Sequence, residues 1–136
     1  MCCLEACASF KKGDVATIFT PDNTHFDIAM YAIERGAHVM VTKPAVMTVA
    51  AHRALIDAAR KNNVLVLVEY HKRYDPIYAD ARQRVRETMG DFQYFVSHMT
   101  QPKFQLDVFT SWAGKSSDIS YYLNSHHIDI HCWAMD

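Results

Sequence analysis

A chain of 136 residues with 50% hydrophobic content is long enough to form one modest domain with a packed core. Its 14 basic and 15 acidic residues nearly cancel, which argues against a nucleic-acid footprint and against binding to an anionic membrane surface. The chain has no leading basic and apolar signal and no run of about 18 apolar residues, so neither secretion nor a membrane span is predicted. The partner that this composition favours is a small molecule.

The four cysteines indicate the compartment. Cys2, Cys3 and Cys7 crowd the first residues, whereas Cys132 stands alone near the other end. This spacing fits neither a disulfide framework nor a paired zinc-binding pattern. We therefore predict reduced thiols and a cytoplasmic protein.

The first half of the chain alternates predicted strands and helices. The strands are residues 14–20, 38–42 and 64–70, and the helices run over 24–35 and 48–62. Such alternation predicts right-handed crossovers and a parallel α/β sheet. The third strand, "VLVLVEY", is continuously apolar, as expected of a strand that is covered on both faces.

The pattern changes near residue 75. Asp75 and Pro76 predict a helix start, with the helix continuing to Gly90. Residues 92–100, "FQYFVSHMT", alternate like a strand of an antiparallel sheet, and a further helix is predicted over 118–133. We therefore predict a first domain over residues 1–75 and the start of a second, α+β domain over 76–136.

Candidate site residues follow the predicted strands, because ligands bind at the carboxyl ends of strands in parallel sheets. Three loops lie there, at Thr20-Pro21, Lys43-Pro44 and residues 71–73. A lysine in this position can hydrogen-bond a cofactor ribose or a substrate hydroxyl and ease the loss of the hydroxyl proton. The alternative is an ordinary surface lysine in a strand-to-helix loop. Pro44 biases Lys43 away from helical geometry.

A second cluster lies in "NSHHIDIH", residues 124–131. On a helix, Asn124, His127 and His131 share one polar stripe. His127 can act as a general base or acid near neutral pH. Two alternatives stay open: His127 and His131 bind a metal with an undetermined third ligand, or His127 serves polar packing. We assign no metal site.

Two further residues have alternative roles. Arg73 can pair with an anionic or polyhydroxyl substrate or with a cofactor, and it can equally be a solvated loop residue. His25, at the start of the first long helix, is more typical of a helix terminus than of a catalyst.

The segments "ATIFTPDNTHFDIAMYAIERGAHVMVTKP", "HKRYDP" and "HHID" together resemble the glucose–fructose oxidoreductase, inositol dehydrogenase and MocA (Gfo/Idh/MocA) family. The likeness covers residues of about 14–80 well and 117–133 more loosely. It implies the C-terminal half of a Rossmann-type parallel sheet over residues 1–75, followed by the start of a substrate and oligomerisation domain. It also implies that a longer parent protein transfers a hydride between NAD or NADP and a sugar- or polyol-like CH–OH group. The parent is expected to be a homo-oligomer.

The resemblance implies roles for individual residues. The family's Glu-Lys-Pro lysine contacts cofactor and substrate, and the histidine of its Asp-x-x-x-His pair handles the proton, so the catalytic candidates are Lys43 and His127. The cofactor-binding candidates are Thr20, Pro21, His25, Lys43 and Pro44. The substrate-binding candidates are Arg73 and Asn124.

Three departures from the family pattern qualify this assignment. Thr42 replaces the glutamate before the lysine, and Leu123 stands four residues before His127, where aspartate is expected. The neighbouring Asn124 can hydrogen-bond but cannot ionise. The glycine-rich turn that holds pyrophosphate is missing, since the four glycines are dispersed. We therefore predict a fragment with weak or no cofactor binding alone; the alternative is a catalytically silent nucleotide-binding or regulatory module.

Overall fold

A computed structural model of the protein describes residues 3–90 and 93–135. The chain divides into two compact units, which we call the N-terminal unit, Met1–Glu69, and the C-terminal unit, Tyr70–Asp136. The division falls between Glu69 and Tyr70, whereas the sequence pattern changes near residue 75. In the described residues, every helix is too short or too polar to cross a bilayer.

The N-terminal unit is a parallel sheet with helices. Its strands are β1 (Val15–Ile18), β2 (His38–Thr42) and β3 (Val66–Glu69), and its helices are α1 (Cys3–Cys7), α2 (His25–Glu34) and α3 (Val49–Asn62). The strand order is β1-β2-β3, with Val15 opposite His38 and Thr42 opposite Glu69. The predicted α/β class and parallel sheet are confirmed.

Local signals in the sequence fix where the helices begin and end. The Thr48 side chain accepts a hydrogen bond from the Ala51 amide at 3.1 Å, which satisfies one of the unpaired donors at the start of α3. Asn63 ends that helix in the left-handed region, at φ 52°. Gly36, at φ 76°, follows α2 and lets the chain turn back into β2.

The buried core of the N-terminal unit lies on one face of the sheet. Alternate strand residues and one face of α2 build most of it: Ala16, Ile18, Val39, Val41, Ile28, Ala29, Ala32 and Ile33. Strands added in one direction by crossovers of the same hand place their connecting helices on the same face. The helices α2 and α3 therefore cover one side of this sheet together.

The opposite face of the sheet, which we call the open face, is apolar and exposed. It includes Val15, Phe19, Leu65 and Leu67, whose exposed fractions run from 53% for Leu67 to 74% for Leu65. The prediction that the third strand is covered on both faces is therefore wrong. Val66 and Val68 pack against the core, while Leu67 does not, because both crossover helices lie on the other side.

The C-terminal unit is mainly helical in its described residues. Its helices are α4 (Pro76–Arg84), α5 (Gln105–Thr110) and α6 (Ser125–Met135). Wider π-helical turns extend α4 through Val85–Met89 and precede α6 at Ser120–Asn124. These elements confirm the helices predicted from Pro76 to Gly90 and over 118–133.

The strand predicted over residues 92–100 is wrong where the structure describes it. Residues 93–100 are irregular, and Phe92 lies outside the described residues. The described part of the C-terminal unit has an isolated bridge between Ala113 and Ser117 and no strand. Alternation alone does not form a strand, because its backbone groups need a partner strand to pair with.

Candidate functional site

The site candidates of the N-terminal unit lie just after two adjacent parallel strands. Thr20 and Pro21 follow β1, which ends at Ile18, and Lys43 and Pro44 follow β2, which ends at Thr42. Because β1 and β2 are paired in parallel, their carboxyl ends lie at the same edge of the sheet. The two loops therefore meet where ligands bind in sheets of this kind.

Lys43 is nearly buried at this edge, with an exposed fraction of 8%. Burial lowers the pKa of its ammonium from the ordinary value of 10.5, because the charged form loses hydration, while the charges of Asp22 and Glu69 act to raise the same pKa. Glu69 lies on β3 directly opposite Thr42. A carboxylate on the neighbouring strand thus acts on Lys43, although residue 42 itself is threonine.

His25 lies between the two loops and is completely buried. Its Nδ1 is 2.8 Å from the Pro44 carbonyl oxygen, and its Nε2 is 2.8 Å from the Thr20 carbonyl oxygen. Both ring nitrogens therefore face protein carbonyl groups. The resemblance implies a cofactor-binding role for this histidine, and that role stays a prediction.

The predicted polar stripe, which runs from the π-helical turn into α6, lines a cavity of about 450 Å³ in the C-terminal unit. Asn124, His127 and His131 all contribute to it, together with Phe95, Ser97 and Ile128. The Ser97 hydroxyl is hydrogen-bonded to Nδ1 of His127, so the serine orients the imidazole. Sequence reasoning missed Ser97, because it lies in the segment that was predicted to be a strand.

Arg73 forms a two-pronged ion pair with Asp129. Its Nε and one terminal nitrogen lie 2.8 and 2.5 Å from the two carboxylate oxygens of Asp129, whose side chain is 8% exposed. The hydrogen bonding that Arg73 donates to the Asp129 carboxylate is the main cause that raises the pKa of Arg73. Asp129, the last residue of the "HHID" segment, was not among the predicted site residues.

His126, the neighbour of His127, is buried with an exposed fraction of 5%. Its ring packs edge-to-face against His71, with ring centres 4.8 Å apart, and against Tyr70 at 6.2 Å. Burial, and then the charge of Asp129, raises the pKa of Tyr70, while Arg73 lowers it. Four residues before His126 stands Tyr122, and four before His127 stands Leu123. Neither histidine has a carboxylate at that spacing.

The structure does not bring His127 and His131 together with a third metal-ligating side chain. Over residues 3–90 and 93–135, no cluster of three or more histidine, cysteine, aspartate or glutamate side chains can hold a metal ion. An ion held by two protein ligands alone falls short of a structural or catalytic zinc site.

Comparison with known proteins connects this geometry to a family. The sequence profile of an oxidoreductase family with an NAD-binding Rossmann fold, GFO_IDH_MocA, matches residues 3–70, which is half of the chain. The Escherichia coli oxidoreductase YdgJ is 32% identical over 118 residues, covering 85% of this chain and 34% of YdgJ. The scyllo-inositol 2-dehydrogenase (NAD(+)) of Bacillus subtilis is 33% identical over 72 residues, covering 53% of this chain and 21% of that protein.

A solved structure shares the fold. The scyllo-inositol dehydrogenase of Lactobacillus casei, with bound NAD(H) and scyllo-inositol, superposes with a TM-score of 0.82 at 21% identity. The superposition covers 96% of this chain and 40% of that protein. The chain thus spans about a third of the length of YdgJ and less than half of this structure.

Proposed function

The chain belongs to the oxidoreductase family with an NAD-binding Rossmann fold. We therefore propose that it is part of an NAD(P)-dependent dehydrogenase that acts on a sugar or polyol CH–OH group. When bound, the nicotinamide cofactor accepts or supplies the hydride. Two relatives named as inositol dehydrogenases support the substrate class. The residues that we assign to the cofactor side are Thr20, Pro21, Lys43 and Pro44.

The observation that carries the proposal is the burial of Lys43 at the end of a strand. It is nearly buried at the carboxyl end of β2, and burial lowers its pKa. A buried lysine whose pKa is lowered is suited to hydrogen-bond a substrate hydroxyl and to exchange a proton with it. In the oxidation direction the C–H bond breaks and the hydride leaves, the O–H proton passes to a base, and a carbonyl group forms.

The C-terminal unit supplies further candidates for this chemistry. With Nδ1 bonded to Ser97, His127 has Nε2 as its second nitrogen for proton transfer, and Asn124 lines the same cavity. We assign His127 to proton transfer and Asn124 to a substrate hydroxyl. We keep Arg73 as a substrate-binding candidate. Two of its nitrogens, Nε and one terminal nitrogen, already donate to Asp129, so the other terminal nitrogen is the one that we assign to the substrate.

A chimera tests the proposal. Residues 14–136 would replace the matching segment of the Lactobacillus casei scyllo-inositol dehydrogenase, and NADH formation would be followed by absorbance over a panel of inositols, polyols and sugars. We expect turnover in the chimera and a loss of at least about 100-fold in kcat on Lys43→Met. Lys61→Met, which changes an exposed lysine of α3, is the matched control. Undiminished turnover in the Lys43→Met chimera would sink the assignment.

The same chimera distinguishes the two adjacent histidines. His127→Gln should lower kcat by at least about 100-fold, since general acid–base groups contribute at least that much. His126→Gln changes the buried neighbour that packs on His71 and Tyr70. If His126→Gln abolishes turnover while His127→Gln retains it, the catalytic histidine is His126 and our assignment of His127 is wrong.

A silent nucleotide-binding or regulatory module is the second candidate function. It is favoured by one observation, the absence of a carboxylate four residues before either histidine, where Leu123 and Tyr122 stand. Cofactor binding by the chimera, measured by NADH fluorescence, without turnover on any compound of the panel would favour this alternative.

A further inference from the structure

His25 is held at both ends of its ring by two different loops. It is the first residue of α2 and is completely buried. Nδ1 faces the carbonyl oxygen of Pro44, and Nε2 faces that of Thr20, each at 2.8 Å. Carbonyl oxygens only accept hydrogen bonds, so each ring nitrogen makes its bond only when it carries a proton, and a neutral ring carries one proton.

The helix α2, which carries His25 at its start, is firmly packed. Buried residues of α2, including Ile28, Ala29 and Ile33, fix the helix in the core. The hydroxyl of Thr24 lies 2.7 Å from the Thr20 hydroxyl and 2.7 Å from the Pro21 carbonyl oxygen, so the loop after β1 is tied to the start of α2 as well. The contact between Nδ1 of His25 and the Pro44 carbonyl oxygen connects the loop after β2 to the start of α2.

We propose that His25 is a positioning residue, whose ring fastens the loop after β2 to α2 through the Pro44 carbonyl and thereby sets where the ammonium of Lys43 lies. The inference rests on the proposed function only in treating Lys43 as the functional group. Lys43 and Pro44 are adjacent in the chain, so releasing the Pro44 carbonyl lets the segment move and exposes the lysine to water. Water entry would remove the burial that lowers the pKa of Lys43.

Two conservative substitutions separate the two ring contacts. An asparagine amide nitrogen sits where Nδ1 was and keeps the donor toward Pro44, whereas a glutamine amide nitrogen sits where Nε2 was and keeps the donor toward Thr20. We expect His25→Asn to retain the lowered pKa of Lys43. We expect His25→Gln to shift that pKa upward toward 10.5, the ordinary lysine value.

The measurement is an NMR titration of the Lys43 side chain in the 136-residue chain, with amide hydrogen exchange to confirm folding. His52→Gln, an exposed histidine of α3, is the matched control and should leave the Lys43 titration unchanged. Equal shifts in both His25 variants, no shift in either, or the reverse order would each overturn the proposal, because a purely structural role would not distinguish the two nitrogens.

A measurement on the unmodified chain decides the matter if the variants do not fold. Long-range proton–nitrogen NMR of His25 should show a slowly exchanging proton on Nδ1, the nitrogen that faces Pro44. A ring that carries its only proton on Nε2 would overturn the proposal. Neither readout uses turnover, so an inactive chimera would refute the proposed function and leave this inference standing.

Discussion

The two units of the chain bury different kinds of side chain. In the N-terminal unit most buried residues are aliphatic, with Ile33, Val39 and Val41 among the least exposed, and the buried polar residues among those described are His25 and Lys43. In the C-terminal unit, Ser117, His126 and Asp129 are buried alongside a few apolar residues. Aliphatic burial is non-directional, whereas buried polar groups depend on particular partners. We therefore expect the N-terminal unit to respond to lost volume and the C-terminal unit to lost pairing.

The largest expected effect is in the aliphatic core. Ile33→Ala removes a fully buried side chain and should destabilise the N-terminal unit by about 3 kcal/mol, from lost apolar burial and the remaining cavity. Urea denaturation with amide hydrogen exchange would measure each unit separately. Ile77→Ala, at a position 76% exposed on α4, is the matched control and should change stability by less than about 0.5 kcal/mol. Equal losses of stability in Ile33→Ala and Ile77→Ala would contradict the expectation that the N-terminal unit depends on its buried aliphatic volume.

The second effect concerns the ion pair of the C-terminal unit. Arg73→Met leaves the buried carboxylate of Asp129 without its two-pronged partner and should cost about 2 kcal/mol. Amide exchange in α6 would report the loss, and Arg73→Lys should recover only part of it, because lysine lacks the paired donors. Arg84→Met breaks the exposed pair with Asp80 and should have no measurable effect. An equal response to both substitutions would show that pairing does not support this unit.

A third pair of substitutions tests where the units should behave alike. Thr48→Ala removes the cap of α3, and Asp75→Ala removes the cap of α4, whose carboxylate accepts from the Ile77 amide at 3.1 Å. Each should cost about 1 kcal/mol, since a cap satisfies local backbone donors whatever the core contains. A cost confined to one unit, measured by urea denaturation, would mean that the cap of the other is not formed.

The smallest effect is a pH dependence in the N-terminal unit. Because burial lowers the pKa of Lys43 below 10.5, the folded chain releases this proton at a lower pH than the unfolded chain does. The contribution of Lys43 to the free energy of unfolding therefore rises as pH increases through its folded pKa, and it levels off above the unfolded pKa. In urea denaturation over a pH series that ends near 10.5, the free energy of unfolding of the wild type should rise relative to that of Lys43→Met as pH increases. Parallel curves for the wild type and Lys43→Met would contradict the burial of Lys43.

The contrast also explains how far the sequence predicted the fold. In the N-terminal unit, hydrophobic periodicity and end signals such as Thr48 and Gly36 located every strand and both long helices, because those signals act locally. In the segment of residues 93–100 the same alternation predicted a strand wrongly. Whether a strand forms depends on a pairing partner elsewhere, which periodicity within the segment does not report.

The candidate site was predictable in part for a similar reason. The positions of Lys43 at the end of β2 and of Asn124, His127 and His131 along one cavity follow from strand ends and helical spacing. The bonds from His25 to Thr20 and Pro44 do not, because they join carbonyl groups of two loops whose approach is set by sheet pairing. The hydrogen bond between Ser97 and His127 joins residues that are thirty positions apart, so periodicity within either segment does not predict it.

The open face has a consequence for handling the protein. Val15, Phe19 and Leu67 are each more than half exposed on one side of a parallel sheet. Exposed apolar patches of this kind drive self-association, so the aggregated fraction should grow as concentration rises, independently of how stable the fold is. A charge on the edge strand of that face, as in Leu67→Lys, should raise the concentration at which the chain precipitates. For this protein, colloidal and conformational stability have separate causes.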